Sequence, residues 1–157
     1  MDEDTYSNKS KYTKRIEEIM GKAFPDTGLQ YYPEYFKIDY TWWTGSKFSD
    51  NGINYYDWKL QAVIEHENTW NDWTYELEKL DSLYAPLKIV IGYLPEDKRS
   101  QEKNIIDRQR RLLKNLSNDI NCEFGVIILN RKYGTPPDPF DIHCYRLTVT
   151  GVDEVIL

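Results

Sequence analysis

Two short, unbroken apolar runs separated by a long amphipathic segment constrain the fold of this chain most strongly. The runs are LKIVIGY, from residue 87, and FGVIILN, from residue 124. Continuous apolar runs of this length are typical of strands that are buried on both faces, as in a parallel sheet. Residues 99–119, between them, carry apolar side chains at helical spacing. We therefore expect a β-α-β unit with parallel strands joined by a right-handed crossover.

Upstream of this unit, two segments alternate in polarity as half-buried strands do. In YFKIDYTWW the polar side carries Asp39, and in WKLQAVIEHE it carries Glu65 and Glu67. The turn-rich stretch between them contains Asn51-Gly52, the strongest short signal for a hairpin, so we expect the two strands to be antiparallel. The apolar side of the first strand is expected to hold Phe36, Ile38, Tyr40 and Trp42.

The remaining segments predict an α/β fold. Helical periodicity covers residues 6–24 and 71–84, and alternation returns in IHCYRLTVT, from residue 142. The predicted order is α-β-β-α-β-α-β-β, which gives a mixed β-sheet with helices on its faces. A chain of 157 residues is close to the usual size of one domain, so we expect a single domain over 1–157 with residues 1–6 loose.

Composition narrows the classes of protein. The formal net charge of −6 counts against strong binding of bare nucleic acid, although a metal-binding cleft itself needs carboxylates. Only Cys122 and Cys144 are present, which favours a reduced, cytoplasmic protein and leaves no zinc-ligand spacing. The first ten residues are acidic and polar, unlike a signal peptide. No apolar run approaches the ~20 residues that span a bilayer, so no membrane partner is expected.

The acids of the predicted hairpin can form a metal site. Glu65 and Glu67 are two residues apart on one strand, so both leave the same face with Cα atoms ~6–7 Å apart. A register that sets Asp39 opposite them brings three carboxylates together, and like charges so close repel unless a cation neutralises them. Oxygen ligands suit Mg²⁺ (or Mn²⁺), and a metal-bound water can attack a phosphodiester. A solvated strand face is the alternative interpretation of the same pattern.

These residues, in this order of elements, resemble the PD-(D/E)XK, or restriction-endonuclease-like, superfamily. The match is Asp39 in KIDYTWW, then Glu65 and Glu67 in AVIEHEN, followed by the helix NDWTYELEKL and the strand LKIVIGY, and it covers about residues 10–95. The resemblance implies a restriction-endonuclease-like fold and a Mg²⁺-dependent nuclease that hydrolyses phosphodiester bonds of DNA. It also implies that all three acids serve as metal ligands and catalytic residues.

The sequence departs from the family pattern at several positions. No proline precedes Asp39, and Glu67 stands where most members have lysine. Some members recruit a catalytic lysine from the following helix, and Lys79 is the candidate here. Members also often use a glutamate of the first helix, for which Glu17 and Glu18 are the candidates, although a surface role is expected for both.

A catalytically inactive domain of the same fold is the second hypothesis. Five Trp and thirteen Tyr are present, and an aromatic surface can bind nucleic acid, a protein partner or a second copy in a homodimer. Trp42 and Trp43 are adjacent on a strand and must face opposite ways, so one is expected outside or at a contact.

For the histidines and the basic residues, a structural role is the commoner explanation of the sequence pattern. His66 and His143 are expected to pack as core histidines. A basic run on the long helix is either a surface for a nucleic-acid backbone or, as is commoner, a solvated helix face; its members are Arg108, Arg110, Arg111 and Lys114.

Overall fold

The described part of the chain alternates helices with strands. A computed structural model describes residues 9–45, 57, 59–67, 73–116, 122–131, 141–148 and 150–155. The helices are α1 (Lys9–Met20), α2 (Thr74–Asp81) and α3 (Glu102–Leu116), and a 3-10 helix at Glu96–Gln101 precedes α3. The strands are β1 (Gln30–Tyr35), β2 (Ile38–Thr44), β3 (Lys59–Glu67), β4 (Leu87–Pro95), β5 (Glu123–Arg131), β6 (Ile142–Leu147) and β7 (Val152–Val155). None of these helices is long and apolar enough to cross a membrane.

All seven described strands form one mixed sheet, in which they lie side by side in sequence order. β3, β4 and β5 run parallel to one another, and every other neighbouring pair is antiparallel. The predicted β-α-β unit is confirmed, because α3 connects the parallel strands β4 and β5. The antiparallel pairing of the two acid-bearing strands is confirmed as well, since Tyr40 of β2 pairs with Ile64 of β3. The Asn51-Gly52 turn between them lies outside the described residues.

The predicted order of elements was wrong at both edges of the sheet, where it lacked β1 and β7. β1 has the sequence QYYPEY, and Pro33 made it a poor strand candidate. An edge strand tolerates proline because one of its sides needs no ladder hydrogen bonds. β7 has only four residues and follows β6 closely, so the sequence predicted one strand where the chain makes two.

Apolar side chains cover both faces of the sheet. On one face Val63, Val90 and Val126 pack against α2 and α3 in a cluster that includes Leu77 and Ile106. On the other, a second cluster packs against residues of α1 and the turn after it; its buried members are Tyr40, Trp42, Ala62, Ile64 and Ile91. Coverage on both faces explains why the central strands are apolar without interruption.

The predicted faces of β2 and β3 were partly wrong. Ile38 packs in the first cluster, whereas Tyr40 and Trp42 pack in the second. The pairing shifts between Trp42, opposite Ala62, and Trp43, opposite Leu60, so β3 carries one extra residue there. Such a bulge breaks the regular alternation of a strand, so Leu60 and Ala62 pack in different clusters. Both tryptophans are 1% exposed, so the expectation that one of them lies outside was wrong.

A close contact with a glycine positions α2 against the sheet. The ring of Trp73, the residue before α2, packs over Gly92 of β4, and a Cβ atom on Gly92 would lie 2.1 Å from the ring. Gly92 pairs with Glu67 at the end of β3. Because only glycine permits this approach, the start of α2 lies directly above the end of the acid-bearing strand.

Candidate functional site

Strands β2 and β3 bring Asp39 next to the end of the acidic strand. The backbone N–H of His66 donates a 2.8 Å hydrogen bond to Oδ2 of Asp39. Glu65 and Asp39 interact electrostatically. Tyr40 pairs with Ile64, and Asp39 precedes Tyr40 on β2 while Glu65 follows Ile64 on the antiparallel strand β3. The hairpin therefore places the two carboxyl groups together.

Glu65 is buried and paired with Lys79. The residue is only 2% exposed, and Nζ of Lys79 lies 2.7 Å from its Oε2. Lys79 extends from the last turn of α2 and also donates a 2.9 Å hydrogen bond to the backbone carbonyl of Lys37. The other carboxylate oxygen of Glu65, Oε1, is buried without a hydrogen-bond partner. Helix α2 thus supplies one cation, Lys79, to a carboxylate whose other oxygen has no hydrogen-bond partner.

The protonation of Glu65 is shifted by this environment. Burial and, to a smaller extent, the charge of Asp39 raise the pKa of Glu65, whereas the hydrogen bond and charge of Lys79 and the backbone N–H of Asp39 lower it, and the net result is a pKa of about 7. An additional cation next to a carboxyl group that titrates near neutral pH stabilises its ionised form, so binding of the cation is favourable there. Burial also raises the pKa of Asp39, against the lowering effects of the His66 N–H and of Lys79.

Glu67 is engaged with a residue that the sequence did not single out. Burial raises the pKa of Glu76 on α2, and both the charge of Glu67 and a hydrogen bond with its side chain act in the same direction. A hydrogen bond between two carboxyl groups requires a shared proton. Glu76 lies three residues before Lys79, so helical spacing from the candidate lysine was the signal that could have found it.

A cleft of about 150 Å³ opens beside Asp39. Its lining comes from α1, β1, β2 and β3, and consists of Thr13, Glu17, Glu34, Asp39, Tyr40 and His66. Glu17, one of the two candidates on the first helix, lines this cleft, whereas Glu18 pairs with Arg15 at the exposed surface. His66 is half-buried and lines the cleft, and Nε2 of its ring lies 2.8 Å from the hydroxyl of Tyr93.

The other predicted candidates lie apart from this cleft. His143 bonds Oε1 of buried Glu102 at 2.6 Å, and the hydroxyl of Tyr145 donates to the same oxygen. These contacts tie the start of α3 to β6 and have a structural role. On α3, Arg108 and Arg111 are exposed and Arg110 is half-buried, so the basic run remains compatible with both interpretations given above.

Metal ligation by three residues has no direct geometric support. Within the described ranges, no group of three or more His, Cys, Asp and Glu side chains is arranged to hold a metal ion. The ligand set of Asp39, Glu65 and Glu67 stays a prediction.

Comparison with known proteins adds no family assignment. The chain matches no protein-family model, and no curated protein matches it.

Proposed function

We propose that this chain is a metal-dependent nuclease of the PD-(D/E)XK class, with the restriction-endonuclease-like fold, that hydrolyses phosphodiester bonds of nucleic acid, and of DNA in particular. The observation that carries the proposal is the buried Glu65, held by Lys79 at 2.7 Å beside Asp39, with one carboxylate oxygen unpartnered. The element order supports it, because a helix, an antiparallel meander, a second helix and a parallel strand accompany the acids.

The donor set fits a hard divalent cation. Oε1 of Glu65 is a buried oxygen that lacks a partner, and Asp39 supplies a second carboxylate. Mg²⁺ is commonly held by one or two carboxylates together with waters and substrate phosphates, so two protein ligands are sufficient. When bound, Mg²⁺ or Mn²⁺ would lower the pKa of a water molecule and offset charge on the phosphoryl oxygens.

The residues of the chain have separable roles in this proposal. Asp39 and Glu65 bind the cation, and the His66 N–H fixes the carboxylate of Asp39. Lys79 takes the part of the lysine that most members carry at the position of Glu67, and its ammonium group stabilises negative charge near Glu65. Glu67 binds metal or positions the attacking water.

Cleavage assays test the proposal. Purified protein is incubated with supercoiled plasmid and with linear DNA, with Mg²⁺ or Mn²⁺ and with chelator. Cleavage is expected only with metal, and Glu65→Ala and Lys79→Met should abolish or strongly reduce it. Glu18→Ala is the matched control, because Glu18 belongs to an exposed ion pair away from the cleft. Cleavage that survives in Glu65→Ala, or failure to bind either cation at millimolar concentration, would contradict the proposal.

A non-catalytic binding module of the same fold is the second candidate. It is favoured by the lack of a three-residue metal-ligating group among the described residues and by the net charge of −6. Such a protein would bind nucleic acid or a protein partner without cleaving it. Binding of DNA that is unaffected by Glu65→Ala, with no cleavage under any metal condition, identifies this candidate.

A further inference from the structure

Helix α3 concentrates positive charge in a chain that is acidic as a whole. The helix contains five basic and two acidic residues, a net charge of +3, whereas the whole chain has a net charge of −6. The rest of the chain therefore carries −9. The basic residues of α3 are Lys103, Arg108, Arg110, Arg111 and Lys114. Basic residues clustered along one helix are the usual electrostatic footprint of a surface that binds nucleic acid.

Three of these residues, Lys103, Arg110 and Arg111, form what we call the basic stripe. With 3.6 residues per turn, Lys103 and Arg110 lie about 20° apart around the helix axis, and Arg111 lies about 80° from Lys103. A rise of 1.5 Å per residue sets the two arginines about 10–12 Å along the axis from the lysine. Lys103 and Arg111 are exposed and Arg110 is half-buried, because the stripe occupies one flank and the outer side of α3. The inner side, with Ile106 and Leu113, packs against the sheet.

Acidic neighbours do not neutralise the basic stripe. Asp107 lies four residues from both Lys103 and Arg111, which is the spacing at which ion pairs form on a helix. Within the described part of the chain, however, none of the three cations of the stripe forms an ion pair. The Arg111 side chain donates instead to the backbone carbonyl of Asp107 at 3.2 Å. A helix face that is only solvated typically carries alternating charges joined by such pairs, so the stripe differs from that type.

The basic stripe starts at the edge of the sheet that holds the candidate site. β3, β4 and β5 are parallel, so their carboxyl ends share one edge, and β3 ends there with Glu67. Helix α3 begins at the same edge, because Asn130, the penultimate residue of β5, donates a 3.5 Å hydrogen bond to Glu102 in the first turn of α3. Helix α2, which carries Lys79, packs on the same face of the sheet as α3. A polyanion that lies along α3 therefore reaches the edge with the acids.

The form of this surface favours a nucleic acid over other anionic partners. The apolar side chains Ile106 and Leu113 of α3 are each 3% exposed, so this helix does not offer them to a membrane. Cations spaced about 10–12 Å apart along one axis suit a partner that carries anions at regular intervals, as a sugar-phosphate backbone does. Two of the three cations are arginines, whose planar guanidinium groups match the geometry of a phosphate.

We propose that the basic stripe of Lys103, Arg110 and Arg111 binds the phosphate backbone of nucleic acid and holds it beside the edge of the sheet that carries Glu65 and Glu67. This inference rests on the nucleic-acid-binding part of the proposed function, and it goes beyond it by assigning a binding surface outside the carboxylate site. Contacts to phosphates carry no sequence information, so binding through the stripe is independent of base sequence. The stripe also gives a chain with a net charge of −6 a local surface that attracts a polyanion.

The salt dependence of DNA binding tests the basic stripe. A fluorescein-labelled DNA duplex is the probe, and its affinity is measured by anisotropy in chelator at several NaCl concentrations, so that neither cleavage nor metal ligation contributes. Each phosphate contact adds about 0.9 to the slope of log K against log salt concentration. The triple variant Lys103→Gln, Arg110→Gln, Arg111→Gln should therefore lose about 2.7 of this slope and bind more than about tenfold less tightly near ~0.1 M salt. The loss should be the same for duplexes of unrelated sequence.

Two control variants separate the basic stripe from net charge and from folding. Lys22→Gln, Lys59→Gln, Arg146→Gln removes three exposed cations from other elements and changes the net charge by the same amount, and this variant should keep the wild-type slope. The exchange of lysine for arginine and of arginine for lysine at all three positions of the stripe retains its charge and should retain binding. Melting temperatures of all variants show whether any loss of binding reflects unfolding.

The possible outcomes separate this inference from the catalytic proposal. It is overturned if the wild type does not bind the duplex in chelator, if the triple variant keeps the wild-type slope, or if the control variant with the same net charge loses as much slope. Displacement of the probe by poly-glutamate as effectively as by unlabelled DNA also overturns it, and would identify an acidic protein as the partner. Plasmid cleavage with Mg²⁺ combined with any of these results leaves the nuclease proposal intact. Loss of slope in the triple variant without cleavage under Mg²⁺ or Mn²⁺ supports the basic stripe and contradicts the nuclease proposal.

Discussion

The stability of this protein should depend on the ionisation of Glu65, and replacing that residue with glutamine should remove the dependence. Burial raises the pKa of Glu65 from 4.5 to about 7 in the folded chain. The folded state therefore binds the proton more tightly than the unfolded state does between these two values. It follows that the free energy of unfolding falls as the pH rises from 4.5 towards 7 and levels off above that.

The size of the effect follows from the same shift. A difference of 2.5 pKa units between the folded and unfolded states, at 1.36 kcal/mol per unit, corresponds to about 3 kcal/mol. Solvent screening reduces this figure little, because the side chain of Glu65 is 3% exposed. For a chain of this length, about 3 kcal/mol corresponds to about 6–12 °C in melting temperature.

Urea unfolding of the wild type and of Glu65→Gln at several pH values between 4.5 and 8 measures this difference. The variant should gain stability relative to the wild type by about 3 kcal/mol across that range. The difference isolates Glu65 from Asp39 and Glu76, whose pKa values are also raised. Glu18→Gln, at an exposed ion pair, should show no such trend. A flat difference between wild type and Glu65→Gln would refute the account of Glu65 as a buried carboxylate with an incomplete set of partners.

Two further changes test the packing around the site and the second polar cluster. Gly92→Ala places a methyl group 2.1 Å from the Trp73 ring, and it should lower the free energy of unfolding by about 1–3 kcal/mol or more in a thermal unfolding assay. Gly151→Ala is the control: its methyl group meets nothing within 4 Å, so this variant should be close to neutral in that assay. Glu102→Ala leaves the hydroxyl of Tyr145 without its acceptor, so the free energy of unfolding measured in urea should fall by about 1–3 kcal/mol. A decrease below about 0.5 kcal/mol would contradict a structural role for this contact.

The central part of the fold was predictable from the sequence because it depends on local pattern. Continuous apolar strands, an amphipathic helix and alternating acid-bearing strands identified the five strands from β2 to β6 and the three helices. The edge strands escaped prediction for a physical reason. β1 contains Pro33 and β7 has four residues, and neither needs the two-sided burial that makes a strand recognisable.

The site was predictable in its residue types and only partly in its geometry. Alternation placed Asp39 and Glu65 on a common side, and family resemblance pointed to Lys79, which the fold brings to 2.7 Å from Glu65. Glu76 was missed, because α2 contributes it from outside the strands. The periodicity of a single segment does not indicate how the helices pack against the sheet.

The sequence by itself determined which segments become strands and helices and which carboxylates share a strand, because polarity patterns report burial within each element. Only the tertiary structure decided that Glu65 is buried and that Lys79 neutralises one of its oxygens. The packing of Trp73 over Gly92, which sets α2 against the sheet, and the bulge in β3 were likewise decided by the tertiary structure. Both are contacts between distant segments, whose free energy is absent until the chain has folded.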